Sequence, residues 1–220
     1  GSDALAAVGA TGTIVFFILG FMNGLTTGFT VLSSQRYGAG DYEGLRKSVS
    51  NPMVIGRLGT VIMTIAGLLG MDWLLRIMQT PEDIFDMSKE YIVIICVGII
   101  FTTLYNLTAS ILRAVGNSKV PLYFLILSAL LNVVLDLFFI MVLSWGVAGA
   151  AIATVISQGV SGILCLVFLL TKVDILKLKK EHFKLDPICA KIQLNIGIPM
   201  ALQFSITAIG TMILQAALNL

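Results

Sequence analysis

Long apolar runs separated by short polar ones set the rhythm of this chain. A bilayer core takes about 20 apolar residues per helix. Six runs reach that length, near residues 5–34, 53–78, 89–112, 120–144, 148–171 and 197–220. Between them lie QRYGAGDYEGLRKSVSN (35–51), QTPEDIFD (79–86), RAVGNSKVP (113–121), WGVAG (145–149) and TKVDILKLKKEHFKLDP (171–187). Turn chemistry fits the breaks, with Gly-Asn-Ser ahead of Pro121 in one and Gly146 and Gly149 in another. Thr80 is the expected N-cap of the third helix and Pro81 its first residue. DPICAKIQLNIG reads as a short amphipathic helix capped by Asp186 with Pro187 at its start, and Pro199 as the first-turn proline of the last span. The pattern predicts an all-α, polytopic membrane helical bundle of six transmembrane helices.

Polar residues inside the runs fall at helical spacing. Ser128, Asn132 and Asp136 follow one another at i, i+4 and i+8 on the fourth span. The fifth offers Thr154, Ser157, Gln158 and Ser161, the first Asn23, Thr26, Thr27, Thr30 and Ser34, and the third Thr103, Asn106, Ser110 and Arg113. Residues three and four apart share one side of a helix. Such stripes either turn toward a polar cavity or act as hydrogen-bonding contacts between helices. Ser128, Gln158, Asn106 and Asn23 are the residues expected to line a cavity.

Composition agrees with the pattern. The chain of 220 residues is 57% hydrophobic and 12% charged, with mean hydropathy +0.98, about half the charge of a soluble domain. The distribution of charge says more than its sum. Of the 14 Lys and Arg residues, all but Arg76 and Lys89 fall in or near the polar stretches after the first, third and fifth spans, counting Arg57, which can snorkel to that side from about one turn into the second span. Basic loops mark the cytoplasmic side, so the first span runs from outside to inside. An outer N-terminus with no signal sequence suggests a missing earlier helix and a truncated chain. The basic 171–196 stretch is either an ordinary cytoplasmic loop or an interfacial linker tied to anionic lipid. Cys96, Cys165 and Cys189 have no CxxC spacing and suggest neither disulfides nor zinc. His182 reads as a solvated loop residue. HExxH, GxSxG and paired catalytic groups within a span are absent, so no enzyme is expected.

Asp136 carries the candidate chemistry. An ionised carboxylate facing lipid costs roughly 3 kcal/mol even on the lenient insertion scale, so it needs water, a partner, a proton or a cation. Counting from the span ends puts Asp136 about 12 Å and Thr154 about 8 Å from the outer surface, level enough to face each other. Asp136, Asn132 and Thr154 form an all-oxygen set suited to a hard cation such as Na⁺. Burial equally favours the protonated acid, which would make it a proton carrier. The residues leave both open.

SDALAAVGATG (2–12), GLTTGFTVLSSQRYGAGD (24–41), ASILRAVGNSKVPLYFLILSALLNVVLDLFFI (109–140), WGVAGAAIATVISQ (145–158) and GIPMALQ (197–203) together resemble the multidrug and toxic compound extrusion (MATE) family of transporters. The resemblance implies two six-helix lobes. Residues 1–171 would then be helices two to six of the first lobe, 172–196 a cytoplasmic linker, and 197–220 the first helix of the second. It implies export of drugs or organic cations in exchange for Na⁺ or H⁺, by alternating access, at the cell membrane (the inner membrane in a Gram-negative cell). Asn132, Asp136 and Thr154 look like three of the four residues of the family's first-lobe cation site; the acid of the first helix has no counterpart here. A flippase or exporter of lipid-linked substrates in a related fold is the alternative. We expect no cofactor beyond the coupling ion, no nucleic-acid partner, surrounding membrane lipid, and a monomer in full-length form.

Overall fold

The computed structural model describes residues 2–178 and 180–218, and contains helices and no strand among them. The helices are α1 (Ser2–Gly38), α2 (Tyr42–Ile77), α3 (Glu82–Ala114), α4 (Lys119–Leu137), α5 (Gly146–Lys172) and α6 (Pro187–Leu218). Six segments are long and apolar enough to cross a membrane, one for each expected span, so the chain is an all-α polytopic bundle. A π-helical turn, Phe138–Val142, extends α4. Two 3-10 turns, Asp174–Leu176 and Lys180–Phe183, lie between α5 and α6.

Helix α3 is central. Helices α2, α1 and α5 pack around it, α4 packs on α5, and α6 lies along α1. Burial divides into two levels. Ile14, Ile18, Met22, Met71, Leu75, Ile92 and Ile99 form an apolar core in the outer half. Leu45, Val49, Leu107, Ile111, Leu112, Leu169 and Leu176 form one in the inner half. Lipid offers no hydrophobic drive between helices, so close approach depends on small residues. The α1–α6 seam shows this: a Cβ on Gly24 would stand 2.7 Å from the Ala201 Cα, and one on Gly28 would run into the Gly197 backbone.

Several element boundaries differ from the sequence reading. Most of the expected 35–51 loop is the start of α2, whose N-terminus is capped by Asp41 Oδ1 accepting from Gly44 N–H at 2.9 Å. Its polar residues Ser48, Ser50 and Asn51 are buried, so polarity there marks contact rather than solvent. Arg57 accordingly lies about four turns into its helix, not one. Helix α3 starts at Glu82 with Pro81 in the capping position and Thr80 outside it. Residues 187–196 form no separate helix: α6 runs unbroken from Pro187, so Pro199 lies inside it, not at its start. Asp186 does cap that helix, its Oδ1 accepting from Ile188 and Cys189 N–H at 3.0 and 3.2 Å.

The segment between α5 and α6 is docked on α2. Arg46 Nε donates to the Ile175 carbonyl at 3.1 Å, and Ser50 Oγ to that of His182 at 2.5 Å. Asn51 and Asp186 pair reciprocally: Asn51 Nδ2 donates to the Asp186 carbonyl at 3.0 Å and Asp186 N–H to Asn51 Oδ1 at 3.1 Å. His182 is not a solvated loop residue. It is 5% exposed, with Nε2 3.4 Å from Glu43 Oε1. Lys179, one of the basic residues expected on this side, lies outside the described residues. Cys96, Cys165 and Cys189 are free and buried.

Candidate functional site

Helices α4 and α5 are antiparallel neighbours joined by the short segment 143–145 that follows the π turn. Leu143 N–H donates to the Phe138 carbonyl at 3.1 Å, and Trp145 N–H to that of Phe139 at 2.9 Å. The Phe139 and Trp145 rings stack with centroids 5.2 Å apart. This wound-up connection starts α5 at Gly146 rather than 149. Thr154 therefore stands deeper in its helix than counting from Gly149 suggests, by about one turn.

The consequence is a register in which Thr154 meets Asn132. Asn132 Nδ2 donates to Thr154 Oγ1 at 3.4 Å, and Thr154 Oγ1 donates to the Ala150 carbonyl at 3.0 Å. Ser128, Asn132, Thr154, Ser157 and Gln158 line a cavity of about 130 Å³ between the two helices. Ser128 and Ser157 are buried there. Gln158 Oε1 is also buried, without a hydrogen-bond partner among the described residues.

Asp136 is one turn outward of Asn132 and does not line that cavity. Its Oδ1 is buried and accepts no hydrogen bond from the described residues. The structure thus joins two of the three expected cation-site residues directly and leaves the acid one turn along α4 from them. No group of three or more His, Cys, Asp or Glu side chains that could hold a metal occurs among the described residues. Within this chain, a cation here would have Asp136 as carboxylate and neutral oxygens from Asn132 and Thr154.

The other expected cavity residues lie elsewhere. Asn106 and Asn23 are half-buried on α3 and α1, apart from this cavity. The α1 and α3 stripes instead meet at the cytoplasmic end, where Thr27, Thr30, Ser34, Ser110 and Arg113 line a second cavity of about 220 Å³. Sequence spacing found the stripes but missed the π turn at Phe138–Val142.

A family model described as MatE matches residues 1–138. The probable multidrug resistance protein YpnP of Bacillus subtilis (strain 168) is 32% identical over all of this chain, which spans 49% of that protein. A solved inward-facing MATE family transporter of the MOP superfamily superposes with a TM-score of 0.91 at 28% identity, covering 98% of this chain and 49% of its own. An outward-facing one gives 0.86 at 29% identity, with 93% and 46% covered. The chain spans about half the length of the relatives it matches.

Proposed function

This chain belongs to the MatE family of multidrug and toxic compound extrusion transporters, and from that premise we propose that it forms the first-lobe half of a cation-coupled multidrug exporter. It is a multi-pass cell-membrane protein. Movement rather than bond-making is its chemistry on this reading, and drugs or organic cations are its substrates.

The observation that carries the proposal is the buried Asp136 Oδ1, without a hydrogen-bond partner among the described residues, near the Asn132–Thr154 bond between α4 and α5. A buried carboxylate without donors is costly in its charged state. It takes up a proton or a monovalent cation when the site opens outward. Neutralising it removes its attraction for a cationic drug. Rocking of two lobes about such a site is how secondary transporters alternate access. The coupling works only where ion and drug bind the two states with different affinity.

The test is Asp136→Asn, nearly isosteric, in the protein expressed from its full reading frame. Efflux of a fluorescent organic cation from vesicles under an imposed H⁺ or Na⁺ gradient should vanish, at unchanged expression and monodispersity. Export at the rate of the unmodified protein would remove Asp136 from the mechanism.

A second reading, export or flipping of lipid-linked substrates, has one observation on its side. Arg113 stands on the wall of the cytoplasmic cavity between α1 and α3, where it would favour an anionic headgroup over a cation.

A further inference from the structure

A groove of about 270 Å³ runs between α2 and α5 with α3 as its floor. Its position follows from the packing. Around α3, the helices α2, α1 and α5 occupy three sides. The fourth side, opposite α1 and therefore away from α6, is this opening. Ile100, Phe101, Leu104 and Leu166 give it an apolar track. The α2 surface beside it continues as exposed Leu58, Val61 and Ile62.

Two polar features break that track. Arg57 is the one charged residue among those lining the groove, and it is exposed. Thr103, 4% exposed, lines the groove with an Oγ1 that has no hydrogen-bond partner among the described residues. The depth of Arg57 can be read from its neighbours. Leu107 and Leu166, across the groove, stand about 9 Å along their helices from Arg113 and Lys172, the basic residues in their last turns. An arginine rooted at that depth reaches the headgroup level along its stem. The basic side of the chain is the cytoplasmic one.

We propose that the groove between α2 and α5 binds one anionic phospholipid of the cytoplasmic leaflet, its phosphate on Arg57 and one acyl chain laid along α3. Charge complementarity favours this occupant. A guanidinium with no ion pair among the described residues, in a groove lined otherwise by neutral groups, takes a bidentate phosphate. The track below it is apolar and lies within the depth of the acyl chains. This site does not depend on the transport reading, since Arg57 and Thr103 belong to neither cavity described above.

Native mass spectrometry of the protein from its full reading frame, purified in detergent and given phosphatidylglycerol or phosphatidylcholine, tests the site. One phosphatidylglycerol should be retained at concentrations where phosphatidylcholine is lost. Arg57→Gln should weaken that retention about fivefold, the ratio equivalent to about 1 kcal/mol per basic residue at an anionic surface. Arg57→Lys should keep most of it. Ile100→Trp, at an exposed position on the acyl track, should lower retention with Arg57 in place, so the proposal stays testable if the first variant misfolds. Arg113→Gln should leave retention unchanged. Equal retention of both lipids overturns the proposal, as does full retention by Arg57→Gln and Ile100→Trp. Displacement of the lipid by inorganic phosphate alone would overturn it too, assigning the groove to a free anion.

Discussion

Gln193 of α6 donates from Nε2 to the carbonyl oxygen of Ser48 on α2 at 2.7 Å. That carbonyl needs the donor, because its usual helical partner would be the N–H of residue 52, and residue 52 is Pro52, inside α2. A proline inside a helix removes one hydrogen bond and leaves the carbonyl four residues earlier unpaired. Ser33 Oγ of α1 donates to the same oxygen at 3.1 Å, and Gln193 Nε2 also reaches the Phe29 carbonyl at 3.2 Å. The gap in one helix thus becomes a joint among three. It is fully buried and close to the glycine seam of α1 and α6.

Gln193→Leu should therefore lower the thermal stability of the detergent-solubilised protein, by about 1–2 kcal/mol, the upper range for a polar contact between membrane helices. Pro52→Ala should restore the α2 bond and make the glutamine dispensable. In a double-mutant cycle, Gln193→Leu should cost less in the Pro52→Ala background. Equal cost in both backgrounds would mean that Gln193 stabilises through packing and its bond to the Phe29 carbonyl rather than through the Ser48 carbonyl.

The α1–α6 seam predicts a contrast between glycines on the same helix. Gly28→Ala places a methyl group against the Gly197 backbone, whereas a Cβ on Gly9 meets nothing within 4 Å. Backbone cannot yield as a side chain can, so Gly28→Ala should cost in the range of core overpacking, about 1–3 kcal/mol. Gly9→Ala should be neutral or slightly stabilising. Melting curves of the two variants side by side decide it: similar midpoints would mean that the helices do not cross this closely.

Most of the span architecture is legible in the chain, because lipid imposes a length and an apolar composition on every crossing segment. Boundaries were less so wherever polar residues turn inward. Ser48, Ser50 and Asn51 look like loop, yet they belong to α2, where Ser50 and Asn51 bind the 175–186 segment and the Ser48 carbonyl takes Gln193 of α6. His182 looks solvated for the same reason and is buried. In the site, periodicity put Ser128, Asn132, Thr154 and Gln158 on facing stripes, and the cavity they share follows. Periodicity gives a face but fixes depth only as well as the helix ends are known. The π turn at Phe138–Val142 shifted that end, so that Asn132 rather than Asp136 stands opposite Thr154.

The docked linker gives a further expectation. Asn51 uses both its donor and its acceptor on Asp186. Asn51→Asp keeps the acceptor and replaces the donor by an oxygen facing the Asp186 carbonyl. The segment between α5 and α6 should then open more often, and trypsin should cut at Lys177 or Lys184 several times faster while the helices stay protected. Proteolysis proceeds through such local opening. An unchanged cleavage rate would show that the other contacts of the segment, such as Ser50 to the His182 carbonyl, hold it alone.

The identity of the coupling ion is open to an equilibrium measurement that needs no transport. A ligand that binds only the folded state raises stability with its concentration, by about 2.7 kcal/mol at a hundredfold excess over its dissociation constant. If Na⁺ is the ion, NaCl should raise the melting midpoint above that in equimolar KCl, and Asp136→Asn should abolish the difference. Thr154→Val is the sharper probe, since it keeps the shape of the side chain and removes only the oxygen that meets Asn132. Losing that contact should cost little by itself, about 0.6 kcal/mol for an average interhelical hydrogen bond in a membrane protein. The same change should nonetheless remove most of the Na⁺ effect, because one of the neutral oxygens proposed to hold the ion is gone. A Na⁺ effect that persists in both variants would place the ion elsewhere. No Na⁺ effect in the unmodified protein, together with a midpoint that depends on pH through Asp136 alone, would leave the proton as the coupling ion.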